Sequence, residues 1–168
     1  MVQVRPATLD DIPIMQDIEV DAGEMFRAIG LDRVADDPPP AVEVLADHVR
    51  SGTVWVAEID GAVVGYAAAS VVDAEGHLDQ VSVRRSAAGR GIGSLLVGQV
   101  CEWASGQGLD AVTLTTFVNV PWNGPYYERL GFRVLPDAAC GPELSAVRQA
   151  ERNAGLDVLP RGAMRRHL

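Results

Sequence analysis

Two hydrophobic periodicities alternate along the chain. Ile12, Met15, Ile18 and Phe26 recur at helical spacing behind the capping residues of Thr8-Leu9-Asp10-Asp11. Pro13 suits the first turn of that helix, where its missing N–H leaves no bond unmade. Val2 to Arg5 reads as a short strand before it. A break at Ala35-Asp36-Asp37-Pro38-Pro39-Pro40 precedes a second helix, predicted from Ala41 to Arg50 and closed by Gly52. Thr53 to Ile59 and Ala62 to Val72 are rich in strand formers and flank Asp60-Gly61, a pair that favours a tight hairpin.

After a turn at Asp73-Ala74-Glu75-Gly76, His77 to Val83 reads as a strand. Ile92, Leu95, Leu96, Val100 and Trp103 then form a helical stripe that stops near Gly106 or Gly108, and Ala111 to Phe117 is strand-like again. Strand, crossover helix and strand make a parallel unit. A short helix from Pro125 to Leu130 with Gly131 as its cap, a strand from Phe132 to Leu135, a helix from Pro142 to Ala154 and an edge strand from Gly162 to Leu168 complete the pattern. It describes an α/β (α+β) chain with a mixed central sheet of about six to seven strands flanked by helices. At 168 residues, a single domain over 1–168 is expected.

Composition narrows the function. Hydrophobic residues make up 48% and charged residues 22%, which fits a folded globular chain. The longest apolar run, Gly61 to Val72, is shorter than the roughly 20 residues a membrane helix needs, and no secretory signal opens the chain, so a cytoplasmic location and no membrane partner are expected. Cys101 and Cys140 stand apart from each other and from any close Cys or His, which argues against a disulfide framework and against a metal site. Every basic residue is arginine. The absence of lysine excludes a Walker-type phosphate loop, and a net charge of −9 with scattered arginines disfavours nucleic acid.

Against that acidity, Arg84, Arg85 and Arg90 fall within one turn, and no Asp or Glu occurs between Asp79 and Glu102. The turn joins a strand to a helix through Gly89, Gly91 and Gly93. Glycines there clear side chains from a ligand's path, and the first N–H groups of the helix point at an anion. A dinucleotide site would need a third glycine where Leu96 stands, in the chain's first strand-to-helix turn.

The window Ala88-Gly89-Arg90-Gly91-Ile92-Gly93, followed by Tyr127-Glu128-Arg129-Leu130-Gly131-Phe132 after the next strand, resembles the two hallmarks of the GCN5-related N-acetyltransferase (GNAT) superfamily. The resemblance extends over nearly the whole chain. It implies the GNAT fold, splayed between the fourth and fifth strands, with acetyl-CoA as co-substrate in the opening. The pantetheine arm would pair with the strand at Val81 to Val83, including Ser82. The pyrophosphate would lie on the N–H groups of Ala88, Gly89, Arg90, Gly91, Ile92, Gly93 and Ser94, with Arg84, Arg85 or Arg90 as a possible added phosphate contact and Asn119 as a further cofactor contact.

Three positions depart from the family pattern. Ala88 stands where Gln or Arg is usual, Arg85 where proline is common, and Asn123 where a small residue is usual. The first of these leaves the binding to backbone N–H groups.

The resemblance also implies roles. Tyr127 stands where relatives protonate the departing thiolate, and a phenol of pKa about 10 is a suitable acid for a thiolate near 8.5. Tyr126 is its neighbour. His77 aligns with the position of a catalytic glutamate in histone-modifying members, and Asp79 is a second candidate base, both placed by alternation on one strand face with Val81 and Val83. The Val81 N–H would hold the oxyanion.

The resemblance implies a small-molecule amine or a peptide as the acceptor. Asp17, Asp21 and Glu24 on the first helix are either an acidic pocket for it or a solvated face, and Met25, Phe26 and Trp122 are either an apolar wall or core. The arginines of the tail strand, Arg161, Arg165 and Arg166, suit an exposed edge. Two alternatives stay open: a non-catalytic acyl-CoA-binding module, and transfer of another acyl group or to a hydroxyl. The assembly is a monomer or a homodimer.

Overall fold

A computed structural model describes residues 1–168. Seven strands form one sheet in the order β1-β2-β3-β4-β5-β7-β6: β1 Val2–Pro6, β2 Val54–Ile59, β3 Ala62–Val72, β4 Glu75–Val83, β5 Ala111–Phe117, β6 Arg133–Leu135 and β7 Arg161–His167. The helices are α1 Ile12–Arg27, α2 Asp32–Ala35, α3 Val42–Ser51, α4 Ile92–Gly106, α5 Gly124–Arg129 and α6 Pro142–Asn153. β4 and β5 pair in parallel at Gly76 with Val112 and His77 with Thr113, whereas β1 with β2, β2 with β3, β5 with β7 and β6 with β7 are antiparallel. The mixed sheet flanked by helices is the fold expected. The residues group into two compact units: Met1–Ala69 with Leu78–Val100, and Ser70–His77 with Cys101–Leu168.

In the first unit, Ile12, Met15 and Ile18 of α1 and Leu45 and Ala46 of α3 pack on Val54 and Val56 of β2 and Tyr66 and Ala68 of β3. Each large apolar side chain buried this way contributes roughly 1.5–3 kcal/mol. α4 lies close to β3 at Gly65. A Cβ there would come within 3.2 Å of Leu96 and 3.3 Å of Ile92, so this glycine sets how near the helix can come. The hairpin at Asp60-Gly61 has both residues at positive φ, 50° and 80°, as a tight turn of this type requires.

In the second unit, Val112, Leu114, Phe117, Phe132, Leu144, Ala163 and Met164 are buried. β7 lies between β5 and β6 and is not the edge strand expected. Ala163 and Met164 are fully buried within it, and the three-residue β6 forms the edge instead. Tail arginines therefore serve internal ion pairs: Arg165 meets Glu75 at 2.9 Å, and Arg161 meets Glu151 at 3.1 Å while its guanidinium lies 4.9 Å from the Phe117 ring centre.

Other boundaries moved for local reasons. The turn before β4 is only Asp73-Ala74, both at positive φ, so Glu75 and Gly76 join the strand. Asp73 also caps α6. Its carboxylate accepts the N–H groups of Glu143 and Leu144, each at 2.9 Å, and the Glu143 carboxylate accepts the Asp73 N–H in return. The break before α3 contains the single turn α2, which the proline run concealed. On α4, Leu95 is half exposed and the buried stripe is Ile92, Leu96, Val97, Val100, Cys101 and Ala104.

Two substitutions test this packing. A Cβ at Gly124 would fall against the Val118 carbonyl, 2.7 Å from its carbon, so Gly124→Ala should destabilise the chain by about 3 kcal/mol in urea unfolding. Asp73→Ala, which removes an exposed cap, should cost about 1 kcal/mol in the same measurement.

Candidate active site

The strand, turn and helix singled out in the sequence lie in the first unit. After β4, Arg84 is extended (φ −53°, ψ 138°) and begins a turn of 3₁₀ helix over Arg85–Ala87. Gly89 and Gly91 follow at φ 77° and 75°, a region that side chains rarely adopt, and no atom lies within 4 Å of a Cβ built on either. The space above the turn is open, and the 15-residue α4 begins at Ile92, the next residue. Open backbone, a helix N-terminus and a local absence of carboxylates suit an anionic group such as a pyrophosphate. Ile92 is buried, whereas Ala88, Gly89, Arg90 and Gly91 are exposed and Gly93 is partly so.

The three arginines do not act alike. Arg85 is held by Asp21 of α1, which accepts its backbone N–H at 2.8 Å and its guanidinium at 3.1 Å. The backbone N–H, more than the guanidinium, holds the Asp21 carboxyl below the usual carboxylate range. This contact gives the departure at position 85 a physical reason, because proline has no N–H to offer Asp21. Arg84 lies 3.9 Å from Asp17, and Arg90 is exposed. Glu24 pairs with Arg27. The acidic face of α1 is therefore largely matched by arginines.

Between them in sequence, Glu19 is a residue that sequence reasoning passed over. Its carboxylate accepts hydrogen bonds from the Tyr66 hydroxyl at 3.0 Å, the Ser82 hydroxyl at 2.5 Å and the Gln80 amide. Burial, and then the charge of Glu19, push the Tyr66 phenol far above its ordinary range, so it remains a donor. Ser82 is thereby turned toward α1, and its side chain is spent on Glu19. A helical carboxylate opposite three uncharged strand residues carries no sequence signal, since the partners lie 47, 61 and 63 positions away.

Asp79 lies 3.4 Å from His48 Nε2 on α3, and His48 Nδ1 is 2.8 Å from the Thr53 hydroxyl. Asp79 and Gln80 are adjacent on β4, yet both reach side chains from helices that share one core.

The second unit holds His77, Tyr127 and Asn119. His77 is 5% exposed, and its Nδ1 lies 2.8 Å from the Thr113 hydroxyl, which donates to the Gly76 carbonyl at 3.4 Å. Tyr127 is buried on α5, with its ring edge-on to Tyr126 at 5.4 Å and to Phe132 at 5.9 Å. Gly124 brings the start of α5 against Val118, and Gly131 at φ 94° ends it. Asn119 is exposed in the turn after β5.

Beside β5, Arg148 is 3% exposed and pairs with Glu151 at 2.8 Å and Asp157 at 2.9 Å. Burial by itself would raise the Glu151 carboxyl, but Arg161, Thr115 and Arg148 together bring it below its ordinary range. Among the Cys, His, Asp and Glu residues there is no group of three that could hold a metal ion, and no helix is long and apolar enough to cross a membrane.

The model of the acetyltransferase (GNAT) family matches residues 17–132, more than half of the chain, and the chain belongs to that family. Solved structures of similar fold include Rv2747 from Mycobacterium tuberculosis in complex with CoA, at 22% identity and TM-score 0.73, with 99% of each chain covered. The PaiA N-acetyltransferase from Thermoplasma acidophilum in complex with coenzyme A matches at 12% identity and TM-score 0.74, covering 100% of this chain and 99% of that one. N-acetylglutamate synthase from Neisseria gonorrhoeae, complexed with coenzyme A and N-acetyl-glutamate, matches at 19% identity and TM-score 0.71 over 100% of this chain. This chain spans 35% of that synthase's length.

Several carboxylates titrate below their ordinary range in the folded protein, among them Asp11 beside Arg5, Asp21 and Glu151. A carboxyl whose pKa falls on folding stabilises the native state above its unfolded value, and that contribution is lost as pH drops through the folded value. Stability should therefore decline below about pH 4, the unfolded carboxylate range. Glu151→Gln should lower stability at pH 7 and flatten the acid limb, as read by urea midpoints across pH 2.5–7.

Proposed function

We propose that the chain transfers an acetyl group from acetyl-CoA to a primary amine of a small molecule or peptide by direct attack. The observation that carries this reading is the open turn at Gly89 and Gly91 at the head of α4, in a chain of the acetyltransferase family. Backbone N–H groups from Ala88 to Ser94 would cradle the pyrophosphate, each helix-terminus contact being worth roughly 0.3–1 kcal/mol. Arg90 is the turn arginine that adds charge there, since Arg85 is occupied by Asp21. Val81 and Val83 would offer backbone groups to the pantetheine arm, and Asn119 a polar contact to the cofactor.

Acetyl-CoA supplies the activated acyl group as a thioester. His77 takes a proton from the acceptor's ammonium through Nε2, with Thr113 fixing the ring. The neutral amine forms the C–N bond, the Val81 N–H holds the oxyanion, and the C–S bond breaks. As the amide forms, its nitrogen loses the second proton of the former ammonium. Tyr127 gives its own proton to the thiolate and is restored by that second proton, while the first leaves His77 for solvent. Amide, free CoA thiol and one released proton then account for every atom. We favour His77 over Asp79 as the base because the Asp79 carboxylate faces His48, whereas the His77 ring, on the strand that carries the proposed cofactor contacts, is held by Thr113.

Acetyl-CoA at 100 times its Kd should stabilise the fold by about 2.7 kcal/mol, seen as a rise in Tm. No rise at saturating acetyl-CoA would sink this reading. In an acceptor screen followed by thiol release, His77→Ala should lower the rate by about 10²- to 10⁴-fold, and Tyr127→Phe should fall in the same range. Binding without turnover on any amine would favour a non-catalytic acyl-CoA module, and an unchanged Tyr127→Phe rate would remove that residue as the acid.

A further inference from the structure

We propose that Asp21 is a positioning residue for the cofactor turn, and that Arg85 serves as its partner and not as a phosphate ligand. The proposal rests on the reading of Gly89–Gly93 as the pyrophosphate site.

One carboxylate holds both ends of Arg85: Oδ2 accepts the backbone N–H at 2.8 Å, and Oδ1 accepts Nη2–H at 3.1 Å and Nε–H at 3.3 Å. Arg85 is the first residue of the 3₁₀ turn that leads to Gly89. Tying down its N–H sets the direction in which the chain leaves β4. Ala87, at 4% exposure, and Ile92, at 1%, are packed, but the residues between them are not. Ala88 to Gly91 are exposed, and nothing lies within 4 Å of a Cβ at either glycine of that stretch.

A segment without packing of its own takes its order from its ends. Asp21 fastens the upstream end to α1, a helix whose Glu19 also binds Gln80 and Ser82 of β4. Order present before the ligand arrives lowers the entropy lost on binding. The same geometry directs both the N–H and the Nε–Nη2 edge of Arg85 at Asp21, which draws that arginine away from the glycines. Asp17, 3.9 Å from Arg84, gives that arginine a weaker hold on the same helix.

The position also tolerates an exchange. Arg84 is extended, with ψ 138°, as the residue before a proline must be, and the first position of a helical turn is one where proline's missing N–H is least costly. Proline at 85 would supply by its ring the φ restraint that Asp21 supplies by its hydrogen bond.

Isothermal titration with free CoA tests the proposal without an acceptor, with the Tm of the unliganded protein measured alongside. Asp21→Ala should raise Kd about tenfold, as expected for loss of a charge-assisted hydrogen bond. Arg85→Ala keeps the N–H and should raise it only about two- to threefold. Asp21→Ala combined with Arg85→Pro should recover most of the lost affinity. Asp21→Asn, which keeps an acceptor for the N–H, should fall between wild type and Asp21→Ala, and it stands in if Asp21→Ala does not fold. An unchanged Kd in both Asp21 variants would overturn the proposal. So would a larger loss in Arg85→Ala than in Asp21→Ala, which would place the guanidinium on the phosphate, or a double variant no better than Asp21→Ala. Failure of the wild-type protein to bind CoA would instead overturn the pyrophosphate reading itself.

Discussion

The Glu19 carboxylate accepts three hydrogen bonds from two strands, and α1 is seated on β3 and β4 through that convergence. Tyr66, Gln80 and Ser82 are each drawn to it, and Tyr66 is fully buried. Leaving a buried donor unmatched costs roughly 1–3 kcal/mol, so the three contacts together outweigh any single apolar contact made by the helix. The seating has a functional consequence. With Gln80 and Ser82 engaged, Asp21 is held two residues further along α1, where it meets the turn proposed to bind the cofactor.

The second unit uses charge differently. Arg148 is almost fully buried, and its guanidinium is shared among Glu151, Asp157 and the Arg161 carbonyl. Arg161 adds a second guanidinium to Glu151, and the Thr115 hydroxyl adds a third donor at 2.5 Å. A planar fork can satisfy several acceptors in fixed directions, which an ammonium cannot. A chain whose basic residues are all arginine has built its interior ion pairs from that property. Glycines give the complementary device. Gly65 and Gly124 remove a Cβ where α4 meets β3 and where α5 meets the end of β5, and Tyr127 is carried on the helix so placed.

Much of the fold was legible in the sequence. β3 and β5 occur over the predicted residues, α1 buries the expected Ile12, Met15 and Ile18, and the hairpin at Asp60-Gly61 forms as predicted. These features depend on neighbours a few residues apart, so periodicity and turn chemistry suffice to find them. The place of β7 was not legible. Its arginines suggested an exposed edge, and only pairing with β5 on one side and β6 on the other, with Glu75 and Glu151 supplied as counter-charges, makes an internal strand of it.

The candidate site divides along the same line. The sequence by itself determined the glycine turn, the helix that follows it and the positions of His77 and Tyr127, because φ signs, helix capping and motif spacing are local properties. Only the tertiary structure decided which charges remain available to a ligand. Arg85 and Asp21 are 64 residues apart, Ser82 and Glu19 are 63 apart, and His77 and Thr113 are 36 apart. No short-range pattern records such pairings, and each decides whether a side chain faces the cofactor or is consumed within the fold. The turn was readable as a candidate binding site from its glycines, whereas its tie to α1 through Asp21 is a contact that only the folded chain makes.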